Sequence, residues 1–262
     1  MFLCAQEKGL PVPNISRSAL CLLGLLTLCT ATDRPARAAA TDTALADQLA
    51  AASGHYAADT NLFGAGPLSI VLKQELGAQY DSFVQNMQVA GPLQPVGDIL
   101  FMTGNRQHEG ADSIAWLLVD RTGHNMTVGI LNPGHLSLYG FGPTPITKPR
   151  DVRTMLENMQ NVPPFCNPPQ DLQPGAQIQL QATLHHGATC VYRLGLHKGE
   201  KVTARLDAKP GNAVLRLIDP RLVQNSDAQA WLVLHDDLYL LQVEPGPDGQ
   251  AEQPFTLTVK AD

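Results

Sequence analysis

Charged side chains are scarce in this sequence. Aspartate, glutamate, lysine and arginine together make up 16% of the 262 residues, and acidic residues outnumber basic ones by 24 to 18. This balance argues against a nucleic-acid-binding protein, because such proteins neutralise phosphates with lysine and arginine. Apolar residues make up 44% of the chain, which excludes a largely disordered protein and predicts globular domains.

The sequence also lacks the short motifs of the commonest catalytic sites. It contains no Gly-x-Ser-x-Gly turn, no glycine-rich phosphate loop and no His-Glu-x-x-His pair, and its eight histidines are scattered. Catalytic groups can also meet from distant positions, so a missing motif does not by itself exclude an enzyme. We nevertheless predict a protein that is not an enzyme and that binds neither a metal nor a cofactor.

The first 40 residues have the pattern of a secretory signal peptide. Lys8 and Arg17 precede the apolar run of residues 19–29, and small residues follow at 35–40. A basic segment, a short apolar run and an Ala-x-Ala motif in this order are typical of an export signal. We therefore predict that residues 1–40 are a signal peptide and that the protein is periplasmic or otherwise exported to a bacterial envelope.

The sequence allows more than one form of processing at this N-terminus. Cleavage fits after Ala38 or Ala40, whereas residues 19–29, although shorter than a membrane span of about 20 residues, could also remain as an uncleaved anchor. Residues 26–29 have the outline of a lipoprotein signal. Residues 1–40 carry four basic and two acidic side chains, so their removal changes the formal net charge from −6 to −8. Such an acidic protein would attract basic partners.

Two of the five cysteines, Cys166 and Cys190, follow the predicted signal peptide. A single pair in an exported protein predicts a disulfide, and buried free thiols are the alternative. Closing a loop of this length stabilises a fold by roughly 3 kcal/mol.

The rest of the chain divides into two parts by its patterns. Residues 41–162 contain helix-prone segments, then strand-like runs separated by turns, and a short helix at 149–159, which predicts an α+β domain with helices flanking an antiparallel sheet. Residues 161–174 are rich in proline, asparagine and glutamine, which predicts a linker at 163–174. Residues 175–262 contain seven short strand-like runs, which predict an all-β sandwich. The predicted strands are 98–103, 113–119, 126–131, 136–139, 177–184, 190–196, 201–206, 213–218, 230–234, 238–243 and 255–260.

One polar loop joins two apolar strands of the predicted α+β domain. Arg106, Gln107, His108 and Glu109 place a cation, an amide, an imidazole and a carboxylate in successive positions. A hairpin tip of this kind projects from a rigid sheet and could enter a cleft lined by carboxylates, with Arg106 and His108 as donors. Composition alone favours a solvated polar turn.

Residues 80–139 resemble the inhibitor of vertebrate lysozyme family, called Ivy. The resemblance runs through an amphipathic helix with Phe83, the run of residues 97–102, the polar loop, the run of residues 113–120 and a strand with residues 128–131. In the family the loop reads Cys-Lys-Pro-His-Asp-Cys, and its histidine reaches into the active site of lysozyme.

His108 matches the histidine of the family loop, while Arg106 replaces the lysine and Glu109 replaces the aspartate. The two family cysteines are Asn105 and Gly110 here, so the loop lacks the disulfide that stiffens it in the family. The resemblance implies an inhibitor whose partner is a lysozyme or another peptidoglycan hydrolase of a host, a rival bacterium or the cell itself. It places the binding site at the four residues between Asn105 and Gly110.

The C-terminal part has a second resemblance. Residues 191–203, 213–220 and 238–243 resemble strands of the bacterial pre-peptidase C-terminal type of sandwich, and periplasmic inhibitors of goose-type lysozyme have a similar small sandwich. This resemblance implies a β-sandwich but no particular binding residue. An envelope structural or glycan-binding module is therefore the alternative function, and an uncharacterised hydrolase is a third.

Overall fold

The computed structural model describes residues 34–110, 112–185, 188–227, 229–249 and 252–262. Residues 1–33 of the predicted signal peptide lie outside these ranges. The lipoprotein-like motif at 26–29 therefore lies outside them as well. From Arg34 onward the chain forms the first helix. Among the helices of the described ranges, none combines the length and the apolar character needed to cross a membrane.

An antiparallel sheet with flanking helices forms the first part of the molecule, as predicted. The strand order is β1-β3-β4-β5-β6, and β2 also pairs with β3. The strands are β1 (Val89–Ala90), β2 (Gln94–Val96), β3 (Ile99–Asn105), β4 (Ile114–Asp120), β5 (Met126–Asn132) and β6 (His135–Phe141). The helices are α1 (Arg34–Ala52), α2 (Ala57–Thr60), α3 (Pro67–Leu76), α4 (Tyr80–Gln85) and α5 (Arg150–Asn158).

Both faces of this first sheet are buried, because successive side chains of a strand point to opposite faces. In β4, Ala115 and Leu117 belong to the core formed with helices α1, α3 and α4. Trp116 and Leu118 belong to a second core on the opposite face, together with Leu156 of α5. The six consecutive buried residues of β4 are therefore shared between two cores.

Gly129 explains how the largest of these side chains fits. It lies directly opposite Trp116 in the β4–β5 register. A Cβ atom at position 129 would lie 2.0 Å from Cζ2 of the indole ring, which no packing could accommodate. The ring of Trp116 therefore fills the space that the missing side chain of Gly129 leaves, and it is fully buried.

A sandwich of two sheets forms the second part, again as predicted. Its five-stranded sheet has the order β12-β13-β10-β15-β8, and its four-stranded sheet has the order β11-β14-β9-β7. The strands are β7 (Gln170–Asp171), β8 (Gln177–His185), β9 (Cys190–Leu196), β10 (Lys201–Ala208), β11 (Ala213–Leu217), β12 (Val223–Asp227), β13 (Ala230–Val233), β14 (Asp237–Pro245) and β15 (Glu252–Ala261).

The two parts share a core. Val191 of β9 and Leu238 and Leu240 of β14 pack in the same cluster as Trp116 and Leu156. The four-stranded sheet is thus buried on both faces, which accounts for the unbroken apolar run in β14.

The segment 163–174, predicted as a linker, is packed between the two parts. Phe165 is 2% exposed and lies in the shared core, and Leu172 is 1% exposed and lies in the sandwich core. The structure joins Cys166 to Cys190 of β9 by the predicted disulfide, with 5.5 Å between their Cα atoms. The disulfide therefore fastens this segment to the start of β9 in the four-stranded sheet.

Candidate functional site

The polar loop connects β3 to β4 and lies at one end of the first sheet. Its base is closed by a hydrogen bond of 2.9 Å from the backbone N–H of Arg106 to the carbonyl oxygen of Ser113. Gln107, His108 and Glu109 are exposed, whereas Arg106 is half-buried. The structure therefore keeps all four predicted site residues on one hairpin tip, and it exposes three of them.

His108 occupies the tightest point of this tip. The N–H of Glu109 donates to the carbonyl oxygen of Arg106 over 3.1 Å, which closes a turn with Gln107 and His108 at its centre. The φ angle of His108 is +68°, in the left-handed region that few non-glycine residues adopt. Turns with a positive φ at the third position normally carry glycine or asparagine there. The turn thus exposes the imidazole with a backbone conformation that is energetically unfavourable for a residue other than glycine.

A buried asparagine supports the end of the sheet below the loop. Asn86, at the end of α4, is fully buried, and its side-chain amide donates to the carbonyl oxygen of Leu131 over 2.9 Å. The same amide nitrogen lies 3.3 Å from the carbonyl oxygen of Ile114, the first residue of β4. Asn86 therefore ties the helix to two neighbouring strands, β4 and β5, where the loop ends. No local sequence pattern identifies this role of Asn86, because Leu131 is 45 residues away along the chain.

Strand β1 runs beside the loop. Val89 pairs with Asn105 and Ala90 with Gly104 in the antiparallel register. A Cβ atom at Gly104 would lie 2.9 Å from Sδ of Met87, so the absence of a side chain there permits this close approach. Val89 is 52% exposed and adds an apolar surface next to the polar tip.

The tip can therefore act as a donor and acceptor surface. An imidazole offers one N–H donor and one acceptor when neutral, and two donors when protonated, so His108 can bind a carboxylate in either state. Behind the loop lies a cavity of about 400 Å³, bounded by Gly110 and Asp112 on one side and by Met155, Met159 and Phe165 on the other. Across the part of the chain that the structure describes, no three His, Cys, Asp or Glu side chains are grouped so as to hold a metal ion.

Comparison with known families gives a match that contains this loop. Residues 67–162 match the family described as Inhibitor of vertebrate lysozyme (Ivy). The matched segment, here called the Ivy-like region, begins with α3 and extends beyond α5. It confirms the predicted resemblance and extends it at both ends. The Ivy-like region thus contains the whole first sheet and the hairpin that presents His108.

Solved structures similar to the chain include three periplasmic inhibitors of g-type lysozyme, called PliG. The protein from Aeromonas hydrophila has 20% identity and a TM-score of 0.29, with 36% of this chain and 96% of that chain covered. The Salmonella Typhimurium protein has 13% identity and a TM-score of 0.27, with coverage of 36% and 98%. A mutant of the Escherichia coli protein has 12% identity and a TM-score of 0.28, with coverage of 36% and 97%. At these identities and TM-scores, the similarity to the PliG structures does not define an activity for this chain. Comparison with curated proteins gives no match.

Proposed function

We propose that this protein is an exported, non-enzymatic inhibitor of a lysozyme-like peptidoglycan glycosidase. In this proposal the loop from Asn105 to Gly110 enters the active-site cleft of the enzyme and occludes it. The observation that carries the proposal is the placement of His108, which corresponds to the histidine of the Ivy family loop. It lies exposed at the tip of a hairpin in the Ivy-like region and has a left-handed backbone conformation.

The chemistry of the target suits such a tip. Glycosidases of this class use two carboxyl groups on either side of the scissile bond. The His108 imidazole could donate a charge-assisted hydrogen bond to one of these carboxylates, and Gln107 could offer its amide to the other or to a nearby carbonyl group. A hairpin on a sheet buried on both faces is a rigid support for such an insertion, which lowers the entropy cost of binding.

Charge and location also favour this partner. The formal net charge is −6 for the whole chain, and an acidic protein approaches a basic enzyme faster because of long-range attraction. We place the protein in the periplasm or elsewhere in the bacterial envelope, where peptidoglycan hydrolases act. Residues 1–40 would serve as the export signal, and a lipid anchor at Cys29 would be a second way to retain the protein at a membrane.

The direct test measures hydrolysis of purified cell walls by a panel of enzymes. The panel contains chicken-type and goose-type lysozymes, bacterial lytic enzymes and autolysins, each titrated with the protein lacking residues 1–40. We expect inhibition of at least one enzyme at a stoichiometry near one to one. The inhibition should weaken as salt is raised, because screening reduces the charge attraction.

Other results would favour the other functions. Retention of the protein on insoluble peptidoglycan, without inhibition of any enzyme, would favour a glycan-binding or structural envelope module. Release of soluble fragments from cell walls by the protein alone would reveal a hydrolase. Either result would contradict the inhibitor proposal.

A further inference from the structure

The loop that presents His108 contains no covalent cross-link of its own. Eight residues, from Arg106 to Ser113, connect β3 to β4, and none of them is a cysteine. A flexible loop of this length would lose conformational entropy on entering a cleft, and this loss weakens binding. Something else in the molecule must hold the tip if it is to bind tightly.

We propose that Glu109 is a positioning residue that fixes the tip by bridging Arg106 and Ser113 across the base of the loop. Its Oε2 atom accepts a hydrogen bond of 2.7 Å from the hydroxyl group of Ser113. The same oxygen accepts a hydrogen bond of 3.3 Å from Nη1 of Arg106. We call these two contacts the Glu109 bridge.

The partners of Glu109 make the bridge effective because they lie on opposite sides of the loop. Arg106 directly follows β3, and Ser113 directly precedes β4 and is fully buried. The backbone of Glu109 adds to the same link, since its carbonyl oxygen accepts from the N–H of Asp112 over 3.0 Å and of Ser113 over 3.3 Å. One residue thus connects the start, the tip and the end of the loop.

The bridge implies two different roles among the four predicted site residues, and this assignment of roles rests on the proposed function. Arg106 and Glu109 are engaged with each other, so their role is to hold the backbone around His108. Gln107 and His108 are then the residues left to contact the target. Hydrogen bonds to an ionised group are stronger than neutral ones, which suits a carboxylate at the centre of the bridge.

Backbone amide hydrogen exchange tests the bridge in the free protein, without any target. In Glu109→Ala, the hydrogen-bonded amides of the loop, those of Arg106, Glu109, Asp112 and Ser113, should exchange about tenfold faster, the factor expected for loss of one charge-assisted hydrogen bond. Amides in the middle of β4 and β5 should be unchanged, which shows that the fold persists. Glu75→Ala, at an exposed glutamate of α3, is the matched control and should alter neither set. Unchanged exchange in the loop of Glu109→Ala would overturn the bridge, whether or not any enzyme is inhibited.

An engineered disulfide tests how Glu109 affects inhibition. A Cβ atom at Gly110 would lie 3.9 Å from Nδ2 of Asn105, so Asn105→Cys with Gly110→Cys can cross-link the two ends of the tip. Glu109→Ala should weaken inhibition about tenfold in the native loop and about twofold or less in the cross-linked loop. An equal loss in both loops would show that Glu109 contacts the target directly, and the positioning role would be wrong.

Discussion

Arg193 of the sandwich donates a hydrogen bond of 2.6 Å from Nη1 to the carbonyl oxygen of Leu156 in α5 of the Ivy-like region. The same nitrogen donates to the carbonyl oxygen of Met159 over 3.1 Å, and Nη2 donates over 2.6 Å both to Oδ1 of Asn161 and to the carbonyl oxygen of Asn167. These carbonyl groups lie at and after the C-terminal end of α5, where a helix leaves its last acceptors unpaired. A side chain of one part thus completes the hydrogen bonding of the other.

Replacement of Arg193 should therefore destabilise both parts together. We propose that residues 41–162 and 175–262, with 163–174 between them, unfold as one cooperative unit. Arg193→Leu should lower the free energy of unfolding by about 3 kcal/mol or more, because it leaves several buried acceptors unpaired. The measurement is urea unfolding followed by tryptophan fluorescence and by circular dichroism.

Arg216→Leu is the control for this prediction. Arg216 lies on β11, its side chain is 65% exposed, and it pairs with Glu244. Loss of an exposed ion pair should cost less than about 1 kcal/mol. Two separate transitions in the unaltered protein, with only one of them shifted by Arg193→Leu, would show that the parts are independent.

The fold could be predicted from the sequence to a large extent because long, periodic segments dominate it. The predicted runs 113–119 and 190–196 correspond to β4 and β9 within one residue at either end. Strands β1, β2 and β7 were missed, since two or three residues carry no periodicity, and the five-residue strand β12 was missed as well. The packed state of residues 163–174 was also hidden, because proline-rich composition does not reveal that Phe165 fills a core.

The site was predictable only in part for a similar reason. His108 could be found because a local motif contains it. Asn86 could not be identified from the sequence, since its partners are distant along the chain. Ser113 could not be identified either, because its hydrogen bond to Glu109 depends on how the loop folds back on itself.

The carboxyl group of Asp120, at the β4–β5 turn, should make the free energy of unfolding depend on pH. Burial alone would raise the pKa of Asp120, but hydrogen bonds from Thr122, Asn125, His124 and Gly123 outweigh it and lower the pKa below its ordinary value of 3.8. A group with a lowered pKa in the folded state stabilises the protein above its unfolded pKa, and this contribution is lost as the pH falls through the folded value.

We therefore expect Asp120→Asn to lower the melting temperature at neutral pH, with a difference that shrinks as the pH falls below about 4. Asp47→Asn, at an exposed position of α1, is the control and should show no such trend. Thermal unfolding between pH 2 and pH 7 provides the comparison. A constant difference at every pH would contradict the role of the Asp120 carboxylate.

The surface beside the loop should contribute to inhibition. Val89 lies next to Asn105, whereas Val96 pairs with Ile99 at the opposite end of β3, six residues or about 20 Å away. Both valines are exposed on short strands that pair with β3, at 52% and 43%. Val89→Asp should weaken inhibition about tenfold, since it would place a negative charge near a cleft lined by carboxylates. Val96→Asp should inhibit like the unaltered protein, and equal effects of the two changes would indicate that the contact surface lies elsewhere.

The measurement that tests the central claim most directly is the inhibition constant of His108→Asn against an enzyme that the unaltered protein inhibits. Asparagine tolerates the left-handed backbone of this position, so the change removes the imidazole and preserves the turn. His124→Asn is the matched control, because His124 is an exposed histidine in the turn at the opposite end of the same sheet. We predict a loss of about thirtyfold for His108→Asn, equivalent to about 2 kcal/mol, and no change for His124→Asn. Inhibition by His108→Asn at the unaltered strength would contradict the proposal that this loop occludes the enzyme.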